Sequence, residues 1–251
     1  MTRKYLTAYA VWNKEDAVVP ILKGIAKSIK PIESDLLFVF DGCTDNSFEN
    51  YRKNVLTDYI NNYIINVEEQ YEFKCHNQIL TYAKEHGYDA TIIFQDDHIL
   101  DHRNLIDHID KILDKYGDSI GIIGGRDGFN MLYHYAVGSS WSEPKENRIR
   151  DLAPGEFCEM KCINFGPAIY AKSTVTKIGL LDTNSFTFFQ ADLDYSCRSL
   201  ATNLKNVVMG TNLKHEKIGK VSASKVYYDN ISAKDSASYN RKVSEGYYKG
   251  I

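Results

Sequence analysis

Nowhere do the 251 residues string together the roughly 18 consecutive apolar side chains that a membrane-spanning helix needs, so no such helix is expected. The start, Met-Thr-Arg-Lys-Tyr-Leu-Thr-Ala-Tyr-Ala, is charged but has no long apolar stretch behind it, and does not read as a signal peptide. A basic excess is also missing. The formal net charge is −3, which argues against a general nucleic-acid binder. Cysteine is sparse: Cys43, Cys75, Cys158, Cys162 and Cys197 are odd in number and irregular in spacing, which implies reduced thiols and a cytoplasmic setting. Cys158 and Cys162 are four apart, but no second pair completes a zinc site. Internal repeats are absent. What remains is an ordinary globular balance, 43% hydrophobic and 25% charged, over a length that suits one large α/β domain with or without a small appendage.

Apolar runs alternate with helical patterns through the first half. Tyr5 to Trp12, Leu36 to Phe40, Tyr63 to Val67 and Ala90 to Phe94 read as strands, and continuous apolar runs suit strands covered on both faces. Between them, residues 17–29 carry Val18, Ile21, Leu22, Ile25 and Ile29 at helical spacing, a stretch with Phe48, Tyr51 and Val55 follows the second strand, and 75–86 closes at Gly87. This alternation predicts a parallel sheet with helices on both faces, with ligands beyond the carboxyl ends of the strands. Helices over 104–116, 173–179 and 193–204 and strands over 119–125 and 207–209 are also expected, with order returning at 162–170. Residues 126–160 lose periodicity and read as a long loop of the kind that carries function. From about Ser222 the chain is polar and Tyr-rich, and reads as an irregular tail or arm, suited to a contact between copies.

Four constellations carry chemistry. Asp41-Gly42 at a strand end, followed by Thr44, Asp45 and Asn46, makes a tight turn and a helix cap, and Asp41 could meet the base or ribose of a nucleotide. Gln95-Asp96-Asp97-His98 ends an apolar strand, where acids are poorly explained by packing and suit a hard divalent cation. Asp192 and Asp194 open a helix, where carboxylates are favoured by the dipole, and one of them could act as a general base. His215 follows a late strand.

In order and spacing, these four resemble the family 2 glycosyltransferases, over about residues 5–219. Phe40-Asp41-Gly42-Cys43-Thr44-Asp45-Asn46-Ser47 is similar to their first motif with Phe40 in place of the first acid. Gln95-Asp96-Asp97 matches their metal motif with Gln95 in place of its first acid. Ala191-Asp192-Leu193-Asp194 with Arg198 matches their acceptor-side motif with Ala191 for Glu, Gly179-Leu180-Leu181-Asp182 precedes it, and His215 closes the series. The resemblance implies the GT-A fold, an α/β arrangement with a mixed, mainly parallel sheet flanked by helices and an irregular C-terminal tail. It implies a domain over 1–221, with a donor half 1–100 and an acceptor half 101–221, and a tail over 222–251. It further implies sugar transfer from a nucleoside-diphosphate sugar to a hydroxyl, with inversion. UDP-sugars are the favoured donors, GDP- and dTDP-sugars the alternatives, and a glycan or glycoconjugate the acceptor. Asp192 is the expected base; Trp12, Asn13, Asp41, Asn77, Gln95 and Asp96 the nucleotide-sugar contacts; Asp97 and His215 the ligands of Mn²⁺ or Mg²⁺. Arg126, Trp141, Asp194 and Arg198 are acceptor or phosphate candidates, with Asp127, Arg148 and Arg150 in the same loop.

Other readings compete. A sugar nucleotidyltransferase would carry a Gly-rich loop after the first strand, where this chain has Asn13-Lys14-Glu15-Asp16. A metal hydrolase could use His98 and His102 with Asp96 and Asp97. A non-catalytic carbohydrate- or nucleotide-sugar-binding protein on the same fold is supported by the acids missing at 40, 95 and 191.

Overall fold

The apolar runs of the first half become strands with helices between them: β1 (Tyr5–Val11), α1 (Val18–Ser28), β2 (Ser34–Asp41), α2 (Ser47–Asn54), β3 (Asn61–Asn66), α3 (Glu72–Glu85) and β4 (Ala90–Gln95). This is a computed structural model, which describes residues 3–125, 128–129, 148–149, 152–215 and 225–248. The second half adds β5 (His98–Leu100), α4 (Leu105–Tyr116), β6 (Ile120–Gly124), the short β7 (Gly128–Phe129) and β8 (Arg148–Ile149), and β9 (Phe157–Glu159). It continues with β10 (Cys162–Ile163), β11 (Ala168–Ala171), α5 (Lys172–Ile178), α6 (Ala191–Ala201), β12 (Lys205–Met209), β13 (Leu213–His215) and α7 (Lys225–Ser244).

The main sheet has eight strands in the order β3-β2-β1-β4-β11-β6-β12-β9. β1, β2, β3 and β4 are mutually parallel, as is β6 with β12; β11 runs antiparallel between β4 and β6, and β9 antiparallel along β12. The sheet is therefore mixed and mainly parallel, as expected. Alternation along each strand divides the core. Tyr5, Tyr9 and Val11 of β1 and Leu36, Phe38 and Phe40 of β2 pack with α1, α2 and α4. Leu6, Ala8, Leu37 and Val39 point the other way, towards α3 and α6. Across the first face the rings of Tyr9, Phe38 and Phe94 stack strand to strand, 5.5 and 5.1 Å between centroids.

The register fixes where chemistry can occur. Val11 stands beside Phe40, Ala10 beside Gln95, and Asp41 beside Asn66. The segments after β1, β2, β3 and β4 therefore leave the sheet along one edge, the edge where such sheets bind ligands. A two-stranded ribbon, β5 with β13, joins this edge and sets position 215 opposite His98.

One expectation is corrected. The polar tail is not irregular: Lys225–Ser244 is a 20-residue helix. Its docked face is made of Asp235, Tyr239 and Lys242, all buried, and Tyr248 just beyond the helix is buried too. Spacings of four and three put 235, 239 and 242 on one side of a helix. That stripe is polar and aromatic, so no aliphatic period announces it.

Candidate active site

Two loops zip together at the edge. Asn13, at φ 47°, accepts the Thr44 N–H at 2.8 Å, the Lys14 N–H donates to Ser47 Oγ at 2.8 Å, and the Glu15 N–H donates to Asp45 at 3.0 Å. Asp45 also accepts from the Ser47 N–H at 2.9 Å and so starts α2. Asp41 is buried and committed to the loop after β3: it accepts from Gln70 N at 2.8 Å, Tyr71 N at 2.9 Å and Asn66 Nδ2 at 2.9 Å. The loop passes so close that a Cβ on Gly42, at φ +60°, would lie 2.6 Å from Glu69 N. Phe40 faces the opposite way, 1% exposed, with its ring 5.1 Å from Phe48 and 5.3 Å from Tyr51. An acid at that position would be buried among aromatics.

At the end of β4, Asp96 Oδ2 accepts the Trp12 N–H at 3.0 Å, and Lys14 Nζ lies 3.8 Å from Asp96 Oδ1. Burial raises the Asp96 carboxyl to about 6 despite Lys14 and that N–H. Asp97 Oδ1 is 3.8 Å from His98 Nε2. Gln95 Nε2 donates at 3.0 Å to Glu72 Oε1, and His76 Nε2 is 3.7 Å from the same oxygen. Burial pushes the Glu72 carboxyl up to about 7, the charges of Asp96, Asp97 and Asp192 adding to it against the Gln95 hydrogen bond. Burial alone holds His76 down at about 3, a neutral ring. Gly166 packs here: a Cβ on it would be 2.8 Å from His98 Cε1 and 2.9 Å from Gln95 Oε1.

Asp192 sits in the first turn of α6, half-buried, its Oδ1 accepting the Leu193 N–H at 2.8 Å. Burial raises it to about 6 against its backbone hydrogen bonds. Carboxyls from the β4 end, the head of α3 and the head of α6 thus share one electrostatic neighbourhood. A group poised near neutral pH in a recessed, multiply acidic site can take up and release protons.

The structure joins Trp12 to Asp96 and Gln95 to Glu72, with Asp97 and Asp192 within electrostatic reach of Glu72. It employs others internally. Asn13 and Asp41 hold loops. Asn77 clamps Leu181 through two 2.9 Å hydrogen bonds. Asp194 is fully buried, accepting from Arg198 Nε at 2.8 Å, Lys242 Nζ at 2.8 Å and Tyr248 OH at 2.6 Å. Arg198 spends its other nitrogens on the carbonyls of Ile178 and Leu180. His102 bonds His108 at 2.8 Å and the Asn212 N–H at 3.0 Å, so it does not join His98 in a metal pair. Cys162 lies in the core with its thiol pushed well up by burial. Arg126, Asp127, Trp141 and Arg150, with the side chains of Arg148 and His215, lie outside the described residues. Reading the sequence missed Lys14, Glu72 and His76. Lys14 was visible in the loop after β1, and Glu72 as an acid heading a helix.

No family model matches the sequence, and no curated protein is significantly similar to it. Solved structures are similar. The mannosyltransferase PcManGT from Pyrobaculum calidifontis, in complex with GDP-Man and Mn²⁺, gives a TM-score of 0.60 at 10% identity, covering 100% of this chain and 77% of that one. GalNAc-T7 with UDP, GalNAc and Mn²⁺ gives 0.64 at 11% identity over 92% of this chain and 48% of that one. S. aureus TarS gives 0.58 at 13% identity over 83% and 35%. The chain therefore spans about half or less of the length of the last two. The likeness defines the fold, which is of the GT-A type.

Proposed function

We propose that the chain is a glycosyltransferase that moves a sugar from a nucleoside-diphosphate sugar to an acceptor hydroxyl, with inversion and in the manner of family 2. The observation that carries this reading is that Glu72, at the head of α3, lies within electrostatic reach of Asp96 and Asp97 after β4 and of Asp192 at the head of α6, at the strand-end edge of a GT-A sheet. Solved neighbours on this fold hold GDP-Man with Mn²⁺ and UDP with GalNAc and Mn²⁺, which supports a nucleotide-sugar as the ligand. On this reading residues 1–100 hold the donor, residues 101–221 hold the acceptor, and 222–251 follow as a separate segment.

A divalent ion fits the donor set. Among the described residues, no three His, Cys, Asp or Glu side chains could hold an ion by themselves. Mg²⁺ and Mn²⁺ commonly take one or two carboxylates and leave other positions to phosphate and water. Asp97 would hold it, together with His215, whose position the β5–β13 ribbon sets opposite His98. When bound, the ion neutralises the charge of the departing diphosphate. Lys14, beside Asp96, adds positive charge on the same side.

The residues then divide the work. The acceptor oxygen attacks the anomeric carbon from the face opposite the diphosphate. The bond to the diphosphate oxygen breaks, and its electron pair leaves with the nucleotide. Asp192 takes the acceptor's proton. With its carboxyl at about 6 it is mostly ionised at pH 7, yet basic enough to accept a proton as the new bond forms.

The test is a donor screen. Purified protein is given Mn²⁺ and UDP-, GDP- and dTDP-sugars, and released nucleoside diphosphate is measured with and without chelator. Release from one donor, lost with chelator and in Asp97→Ala, supports the reading. Neither release nor thermal stabilisation with any donor sinks it in favour of a different ligand.

A further inference from the structure

The segment that delivers Asp192 has no regular structure of its own between the end of α5 and Ala191, and Gln190 turns through the left-handed region at φ 64°. Three consecutive backbone amides there, of Thr187, Phe188 and Phe189, all point at one carboxylate. Asp235 of α7 accepts them at 3.1, 2.9 and 2.8 Å, and it is fully buried. Seven residues along α7, Lys242 Nζ bridges Asp182 at 2.7 Å and Asp194 at 2.8 Å. These two acids bracket the segment. The Lys242 ammonium keeps its charge: burial opposes it, but the hydrogen bonds to Asp182 and Asp194 prevail and raise it. Tyr248 OH adds a third donor to Asp194.

We propose that α7 belongs to the working site, with Asp235 and Lys242 as positioning residues that hold residues 182–194 so that Asp192 faces the acidic cluster. This rests on the reading of Asp192 as the base. Neither residue touches the reacting atoms. A carboxylate that gathers three neighbouring N–H groups fixes a turn more firmly than neutral hydrogen bonds can, since each bond is charge-assisted. Small displacements of a base cost rate steeply. α7 therefore sets turnover rather than donor affinity.

The test uses the full chain and the variants Asp235→Asn, Asp235→Ala and Lys242→Met, with Lys234→Ala on the exposed side of α7 as control. The expected result is a fall in kcat of roughly 10- to 100-fold in the Asp235 and Lys242 variants, with donor KM within about twofold and Lys234→Ala unchanged. Folded fraction is followed by circular dichroism, and activity is expressed per folded molecule. Activity that falls only in step with the folded fraction overturns the proposal. If wild-type protein transfers no sugar, the base reading fails, and a second readout decides the positioning claim separately. Side-chain ¹³C titration of Asp192, assigned through Asp192→Asn, should show its midpoint falling towards the ordinary carboxylate range in Asp235→Asn. An unmoved midpoint overturns the claim.

Discussion

Gln95 Nε2 donates to Glu72 Oε1 across 3.0 Å, so the amide standing where the resemblance expects an acid holds an acid from another element. The carboxyl absent from position 95 is present beside it, at the head of α3. That carboxyl titrates near neutral pH, with Asp96 and Asp192 somewhat below it.

Burial of Glu72, Asp96 and Asp192 should take stability away as pH rises from about 5 to about 8. It raises all three above the ordinary carboxylate range, so in this window each binds more proton in the folded state than in the unfolded one, while His76 and His102, held down at about 3 and about 4, act in the opposite sense below about 6.5. Each raised acid favours folding while protonated and opposes it once ionised. Glu72 alone contributes on the order of 2–3 kcal/mol to this loss. The pH 8 minus pH 5 difference in thermal midpoint should be lower in the wild type than in Glu72→Gln. Equal differences in both proteins would remove Glu72 from the account.

Asp192→Asn should lower turnover by roughly 10²- to 10⁴-fold while donor affinity stays within about twofold. In the wild type, kcat should climb as pH rises through about 6, where Asp192 loses its proton. Steady-state kinetics from pH 5 to 8 check both. Normal kcat in the Asp192→Asn variant ends the base assignment.

Restoring the acid at position 40 should do harm. Phe40 is 1% exposed between Phe48 and Tyr51, and Phe40→Asp would bury a carboxyl among rings. The expected cost is on the order of 3–5 kcal/mol, with no gain in donor binding. Urea denaturation measures the first and calorimetric titration the second.

Gly166→Ala should weaken nucleotide binding about tenfold while the protein stays folded. The added carbon would lie within 3 Å of both the His98 ring and the Gln95 amide oxygen. Those side chains must then shift beside Asp96 and Asp97. Calorimetric titration with nucleoside diphosphate and Mn²⁺ reads the effect, and wild-type affinity would separate that corner from the donor site.

The elements that were legible in the sequence are those with a strong period. The apolar runs of β1, β2 and β4 and the aliphatic stripes of α1 and α4 mark themselves, and the acids at strand ends follow from them. Asp192 and Asp194 look alike in sequence. Two residues along a helix amount to a rotation of about 200°, and that turns Asp192 to the cluster and Asp194 to Lys242 and Tyr248. Asn77 and Asn13 are polar residues recruited to tie loops that local pattern cannot foresee. α7 escaped because its docked face is Asp235, Tyr239 and Lys242, whose partners lie about 50 residues earlier in the chain.

During synthesis, Thr187 and Phe189 leave the ribosome 48 and 46 residues ahead of the carboxylate that receives their amides. The sheet can assemble from contacts already made. The approach to Asp192 cannot settle until α7 has emerged and docked. A nascent chain therefore carries Glu72, Asp96 and Asp192 before it has the carboxylate that gathers the amides of residues 187–189.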